Sequence, residues 1–373
     1  MDQIILTGSK SHILSNNASS KIISGLYDDP PRIVISDING EIEWECKWNK
    51  NESKNNDLGD NLKYCMGDNS SNSATDVKFA RNGTMVAAFY SKAAVVINHM
   101  PGNKENDKIV YAVCTNQTLL WNAHTLKVLP GDLLAVATTG QTQEDGFVVY
   151  NMSSPSSGYD KPLRQLKNLP AIHGLIWDKK GNMLWTGGTN TSANGGPNHP
   201  AYVVLQGYPF DAGTGLLRED RLYRYQLPTP HDLDTEWSWK NRDWWEGAHD
   251  LVPIPDDCKL LMTTDRDVYC FDIETGIFLG GLAVQEIYFE GFQPLGCRTG
   301  INRDGQEEWL PQPEIGIERK FIYVQPTWKD WDDQEGHSVN IYHAGGNHII
   351  FNGSKVYRSR WFSDIPGREK PEQ

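Results

Sequence analysis

The segment Gly247–Gly276, GAHDLVPIPDDCKLLMTTDRDVYCFDIETG, decides the fold. Leu251–Ile254 is a short apolar run, closed by the turn chemistry of Pro255–Asp257. Leu260–Thr263 and Val268–Phe271 are two further runs, reversed at Asp265–Asp267. Asp272–Gly276 then turns the chain toward a fourth run, Ile277–Leu282. Four short strands in about 35 residues predict one blade of a β-propeller. The grammar recurs upstream. Asn122–Asn151, NAHTLKVLPGDLLAVATTGQTQEDGFVVYN, has the same His, the same turn between apolar runs and Thr-Thr before a polar loop. Ala171–Gly188, AIHGLIWDKKGNMLWTGG, repeats His, apolar strand, turn, apolar strand, and Asp76–Tyr90 repeats the strands without the His.

The spacing of His124 and His173 falls in the range of about 40–50 residues for propeller repeats. The longer interval to His249 is filled by insertions at Asn190–Pro200 and Asp211–Trp245. If each His opens the innermost strand of its blade, the three converge at one mouth of the central channel. An apolar strand has no need of a histidine there, so the positions read as functional. The plainer alternative is that they tie neighbouring blades together by hydrogen bonds. Loops joining second and third strands share that mouth, which brings Arg266, Lys92, His199 and Gln141–Asp145 toward it. Arg242 enters the His249 blade, and His99 precedes the His124 blade. Arg242 sits in TEWSWKNRDWWEG, whose four Trp read either as a plug between blades or as a platform for apolar sugar faces.

The 373 residues carry 34 Gly and 20 Pro and are 38% hydrophobic, which suits many strands and turns in one propeller domain spanning 1–373. No helix is expected, and Asn49–Ala74 reads as a polar surface loop. Lys355–Trp361 is expected to pair with the N-terminal strands, closing the ring so that no sheet edge is exposed. The count gives seven blades if His337 opens a new one and six if it does not.

A net charge of −13 argues against nucleic acid and anionic membranes as partners, and no apolar run has the length of a membrane span. None of the six Cys shows CxxC spacing. Cys46 with Cys65, and Cys258 with Cys270, flank turns and are candidate bridges among the fifteen pairings that six Cys allow. Sequons at Asn17, Asn51, Asn69, Asn82, Asn116, Asn151, Asn190 and Asn352, with the even Cys count, favour a secreted protein, and a monomer is expected. The opening MDQIILTGSK has no signal-peptide core, so either a signal lies outside this chain or the protein is intracellular.

Histidines, arginines and tryptophans around one mouth suit a uronate sugar. Arg matches a carboxylate, His moves protons near neutral pH, and Trp stacks on the ring. HGLIWDKKGNMLW, GAHDLVPIP followed by LLMTTDRDVYCFD, and NAHTLKVLPGDLLAVATTG together resemble the fungal L-rhamnose-α-1,4-D-glucuronate lyases, polysaccharide lyase family 42. The resemblance lies between residues 76 and 290. It implies a seven-bladed propeller that releases rhamnose from gum-arabic-type acidic plant glycans by β-elimination. It also implies proton-carrying histidines, matched here to His99 and His124. Arg266, Arg242, His173, His249 and His337 are then expected to bind substrate. Thr189–Pro200 and Thr299–Lys320 match no pattern and leave substrate preference open.

No cofactor is required by that chemistry. Two rivals remain. A histidine ring suits a divalent metal, as in propeller oligogalacturonate lyases, and propellers also serve as lectins or scaffolds. Arg266 has no counterpart in the His124 and His173 units, and this asymmetry favours one catalytic pocket over a repeated lectin site.

Overall fold

In the computed structural model the described residues are 21–48, 55, 57–67, 73–115, 118–120, 122–140, 145–154, 156–192, 201–227, 247–254, 257–264, 268–280, 282–289, 300–301, 307–308, 312–315, 321–324, 335–343 and 346–362. They form six antiparallel blades in a ring. Blade 1 joins the chain ends, with Val356–Phe362 innermost and Lys21–Leu26, Arg32–Ser36 and Ile42–Cys46 outward of it. Blades 2, 3, 4 and 5 have Val77–Ala80, Ala123–Leu129, Gly174–Asp178 and Ala248–Pro253 as their inner strands, and Gln312–Ile315 opens blade 6. The expected closure between the last strand and the first is present, from Lys21 opposite Phe362 to Leu26 opposite Val356.

The count is six, not seven. His337 opens no new blade, because it precedes Val339–His343, the third strand of blade 6. A His before an apolar strand marks an inner strand only where a complete preceding blade has ended, and here it follows a second strand.

A single core is replaced by six apolar clusters, one between each pair of neighbouring blades. Period-two alternation explains the sorting. Val86, Ala88 and Tyr90 face blade 1, while Ala87 and Phe89, one residue out of phase, face blade 3. A middle strand covered on both faces needs apolar side chains at every position, so MVAAFY and LLAVAT read as continuous runs.

Two features depart from the sequence reading. Within the stretch expected to be a loop, Asp60–Gly67 is a helix that buries Leu62, Cys65 and Met66 against blades 1 and 2. Cys65 is bonded to Cys114, the last residue of blade 2's outer strand, and not to Cys46. Cys258 and Cys270 are not bonded to each other; the Cys270 thiol donates to the Tyr288 hydroxyl, 3.7 Å away, on a second short helix, Leu282–Tyr288. No helix among the described residues is long and apolar enough to cross a membrane.

The Cys65–Cys114 bond spans 49 positions, and closing a loop of that size typically stabilises by about 2–4 kcal/mol. Denaturant unfolding with and without reductant should show a loss of that order, and Cys114→Ala should reproduce it without reductant. Equal midpoints would mean that packing of the helix alone holds this segment.

A candidate active site at the histidine mouth

Strand irregularities aim the histidines. In blade 3, Ala123 lies opposite Thr138 but Thr125 lies opposite Ala137, so His124 is the extra residue of a bulge. Blade 5 repeats this, with Ala248 opposite Thr264 and Asp250 opposite Thr263, leaving His249 as the extra residue. In blade 1 the register shifts between Ser359 and Val356, and Tyr357 and Arg358 occupy the irregular step. Bulges turn a side chain out of the alternation that would otherwise bury it between blades. In blade 5 the pair Thr263 and Thr264 lies across the bulge; in blade 3 Thr138 does, and the backbone N–H of Thr139 donates to the Asn122 carbonyl.

Blade 4 reaches the same point without a bulge. His173 precedes Gly174, where an added Cβ would lie 2.8 Å from the Leu251 backbone nitrogen. Only glycine allows the inner strands of blades 4 and 5 to come that close. The result is a row of rings. His124 and His173 have centroids 5.2 Å apart, His173 and His249 5.1 Å, and Tyr357 stands edge-on to His124 at 5.6 Å.

The protonation of two of these rings is legible. His124 Nδ1 lies 3.0 Å from the carbonyl oxygen of Asn122, and His173 Nδ1 lies 3.0 Å from that of Ala171. A carbonyl only accepts, so both Nδ1 atoms carry the proton and both Nε2 atoms are the basic nitrogens. Burial pushes the His124 pKa down to about 4, with Arg358 and His249 adding to it against the Asn122 carbonyl. Burial, the two neighbouring histidines and Arg358 hold His173 well below the ordinary histidine range. Both are neutral bases at neutral pH.

Beneath the rings lies a buried charge cluster drawn from the inner strands. Arg358 donates to the backbone carbonyls of His124, at 3.2 Å, and of His249, which ties two of the ring-bearing bulges together. Arg360 donates to Asp76 at 3.1 Å and to Asp250 at 2.8 Å. Lys78 donates to Thr125 Oγ1 at 2.8 Å and to the Leu175 carbonyl at 3.0 Å, and lies 3.1 Å from Asp76. Thr125 Oγ1 in turn donates to Asp76 at 2.9 Å. Burial alone would raise the Asp76 pKa, but Lys78, Arg360 and Arg358 outweigh it and hold the carboxyl well below its usual range. Burial pushes Lys78 down to about 7 against the pull of Asp76. Two arginines and Lys78, the last only partly protonated near neutral pH, thus face two carboxylates under the mouth of a chain whose net charge is −13.

Of the residues singled out from sequence, His124, His173 and His249 are brought together as expected. His99 is not with them. It lies at the other end of the channel, its Nδ1 2.7 Å from the Gly83 carbonyl and its ring edge-on to Trp44 and Phe362. Tyr357 and Phe362 are five residues apart on one strand, a rise of about 16 Å, so His99 and His124 cannot share acid and base roles. The reason is strand direction: His99 follows a third strand, which ends where the inner strands end, whereas His124 stands where they begin. His337 is exposed in the loop between the second and third strands of blade 6. Arg266, Arg242, His199 and the tryptophan-rich segment 235–246 lie outside the described residues.

His99→Gln should therefore leave turnover at the histidine mouth unchanged. It should lower the melting temperature modestly, since edge-to-face ring pairs contribute about 0.5–1.5 kcal/mol each. Turnover and melting curves of this variant check the assignment; a large loss of activity at unchanged stability would return His99 to the chemistry.

Sequence reasoning missed Tyr357, Arg358, Arg360, Asp76, Lys78 and Asp250. The available signal was charge inside apolar inner strands, as in DVKFA and VYRSRWF. Among the described residues, no group of three or more His, Cys, Asp and Glu side chains is arranged to hold a metal ion.

No family model matches the chain, and no curated protein matches it. Among solved structures it is similar to a chain of the mitotic checkpoint complex, at 9% identity and TM-score 0.42, over 96% of this chain and 90% of that one. It is also similar to a hypothetical selenium-binding protein from Sulfolobus tokodaii, at 11% identity and TM-score 0.42, over 92% and 93%. Saccharomyces cerevisiae Sqt1 matches at 11% identity and TM-score 0.37, over 89% and 67%.

Proposed function

We propose that the protein is a carbon–oxygen lyase acting on a uronate-containing glycan, with the histidine mouth as its active site. The observation that carries this reading is the juxtaposition of neutral, Nε2-basic histidines with a buried cluster in which Arg358, Arg360 and Lys78 face Asp76 and Asp250. Proton abstraction beside a carboxylate needs both features. A base must be unprotonated at working pH, and positive potential must meet the charge that builds on the carboxylate as the proton leaves.

In the proposed step His124 Nε2 takes the proton from C5 of the uronate. The C5–H electron pair becomes the C4–C5 double bond, and the C4–O bond breaks with its pair on oxygen. That oxygen takes a proton from the Tyr357 phenol, whose ring stands edge-on to His124. Atoms and charge balance without water, and the product is an unsaturated uronate plus a free hydroxyl on the leaving sugar. L-rhamnose-α-1,4-D-glucuronate, the linkage named by the resemblance, is the first substrate to try.

Incubation with gum arabic and other uronate polysaccharides should produce the ultraviolet band of a 4,5-unsaturated uronate. Absence of that band with every uronate glycan tested would sink the reading.

A further inference from the structure

At the edge of the histidine mouth one carboxylate oxygen is left without a donor among the described residues. Glu335 is half-buried, and its Oε2 is shielded from solvent and makes no hydrogen bond among the described residues. A shielded carboxylate oxygen without a donor costs more than any other acceptor left unmet, so its place calls for a ligand that donates.

The local backbone fixes where it sits. Gly336 and Val356 exchange both of their hydrogen bonds, at 2.8 and 2.9 Å, across the inner edge of blade 1. In an antiparallel bridge of this kind the next residues along, Glu335 and Tyr357, are the close side-by-side pair. Tyr357 is the ring that stands against His124. On the other side is Tyr27, whose backbone N–H is anchored on the Lys355 carbonyl and whose hydroxyl lies 3.3 Å from Thr75 Oγ1. Burial raises the Tyr27 phenol well above its usual range, and the charges of Tyr357 and Glu335 add to that rise.

We propose that Glu335, with Tyr357 and Tyr27, forms a position for a neutral sugar beside the histidine centre, the carboxylate accepting from two adjacent hydroxyls and the Tyr357 ring packing on the sugar. The assignment rests on the glycan reading above and deepens it: this is where the uncharged sugar that departs in the elimination is held. A cation would satisfy the carboxylate equally well by charge alone. The Arg358 guanidinium, 5.1 Å above the Tyr357 ring, makes that choice unfavourable. Hydroxyl donors meet no such repulsion. Placing the leaving sugar against Tyr357 also brings the departing oxygen to a group able to protonate it.

The test is titration of the full chain with neutral methyl glycosides, including methyl rhamnoside, followed by ligand-observed NMR for wild type and Glu335→Gln. Glutamine keeps the shape and removes the charge, and matched melting curves show that the variant folds. A hydrogen bond to a charged group contributes about 1.5–3 kcal/mol, so Kd should rise roughly ten- to hundredfold in the variant. On a uronate glycan the same variant should raise KM more than it lowers kcat. If wild type binds no neutral sugar, if the variant binds it equally, or if only a cation such as Ca²⁺ binds in a Glu335-dependent way, the proposal is overturned. The two readings fail separately. Glu335-dependent sugar binding without elimination removes the lyase and keeps the sugar position; elimination with an unchanged KM in Glu335→Gln does the reverse.

Discussion

His124→Phe is expected to lower turnover of a uronate glycan by about 10²–10⁴-fold, the usual worth of a positioned general base. Phenylalanine preserves the ring that packs edge-on against His173 and Tyr357, so the variant should fold and still bind substrate. What it loses is Nε2, the basic nitrogen, together with the Nδ1–H that holds the ring to the Asn122 carbonyl. The pH profile provides a second, independent reading. An ordinary histidine base would give an ascending limb near 6.5. With the His124 pKa pushed down to about 4 by burial, the limb should move to about that pH and the rate should be flat from mildly acidic to neutral. The sign is fixed by the role: a base works when unprotonated, so activity is lost as pH falls through its pKa. Retention of most activity in His124→Phe would pass the role to His173, whose Nε2 is equally basic and whose ring lies next in the row.

The largest effect on stability is expected from Asp76→Asn. Asp76 is fully buried and receives Arg360, Lys78, Thr125 and the Leu126 backbone N–H. Those partners come from the inner strands of blades 1, 2 and 3, and through Arg360 and Lys78 the cluster reaches blades 5 and 4. Removing the carboxylate leaves buried cations facing one another. Breaking a buried ion pair from one side typically costs about 3–5 kcal/mol. Denaturant unfolding should show a loss of that size. The double variant Asp76→Asn, Arg360→Met should recover part of it, because the uncompensated cation is gone. Linkage gives the pH signature. The Asp76 pKa in the folded state is below its unfolded value, so its contribution is present above the ordinary carboxylate range and is lost as pH falls below it. Asp76→Asn should lack that part of the acid dependence. A loss under about 1 kcal/mol would show that the cluster contributes little to closing the ring.

The propeller was legible because its middle strands are covered on both faces, which forces apolar runs such as Val86–Tyr90 and Leu133–Ala137 at regular intervals. The histidines of blades 3, 4 and 5 were legible for a related reason. A polar ring at the first step of an apolar strand stands out, and the Thr pairs opposite it repeat. Three things were hidden. His99 and His337 have the same sequence look as the mouth histidines, and only strand direction and order separate them. The charge cluster joins Asp76 to Arg360, 284 positions apart, and ion pairs at that separation leave no local pattern. The helix Asp60–Gly67, DNLKYCMG, is too polar to read as core, yet it places Cys65 beside Cys114 and so decides a pairing that spacing left open.

The central claim, that the histidine mouth removes the C5 proton of a uronate, is tested most directly with a substrate deuterated at C5. Mass spectrometry of the product after turnover should find the deuterium gone to solvent from every unsaturated uronate formed, with turnover slower than for the unlabelled glycan. Deuterium retained in the cleaved product, at an unchanged rate, would contradict the account.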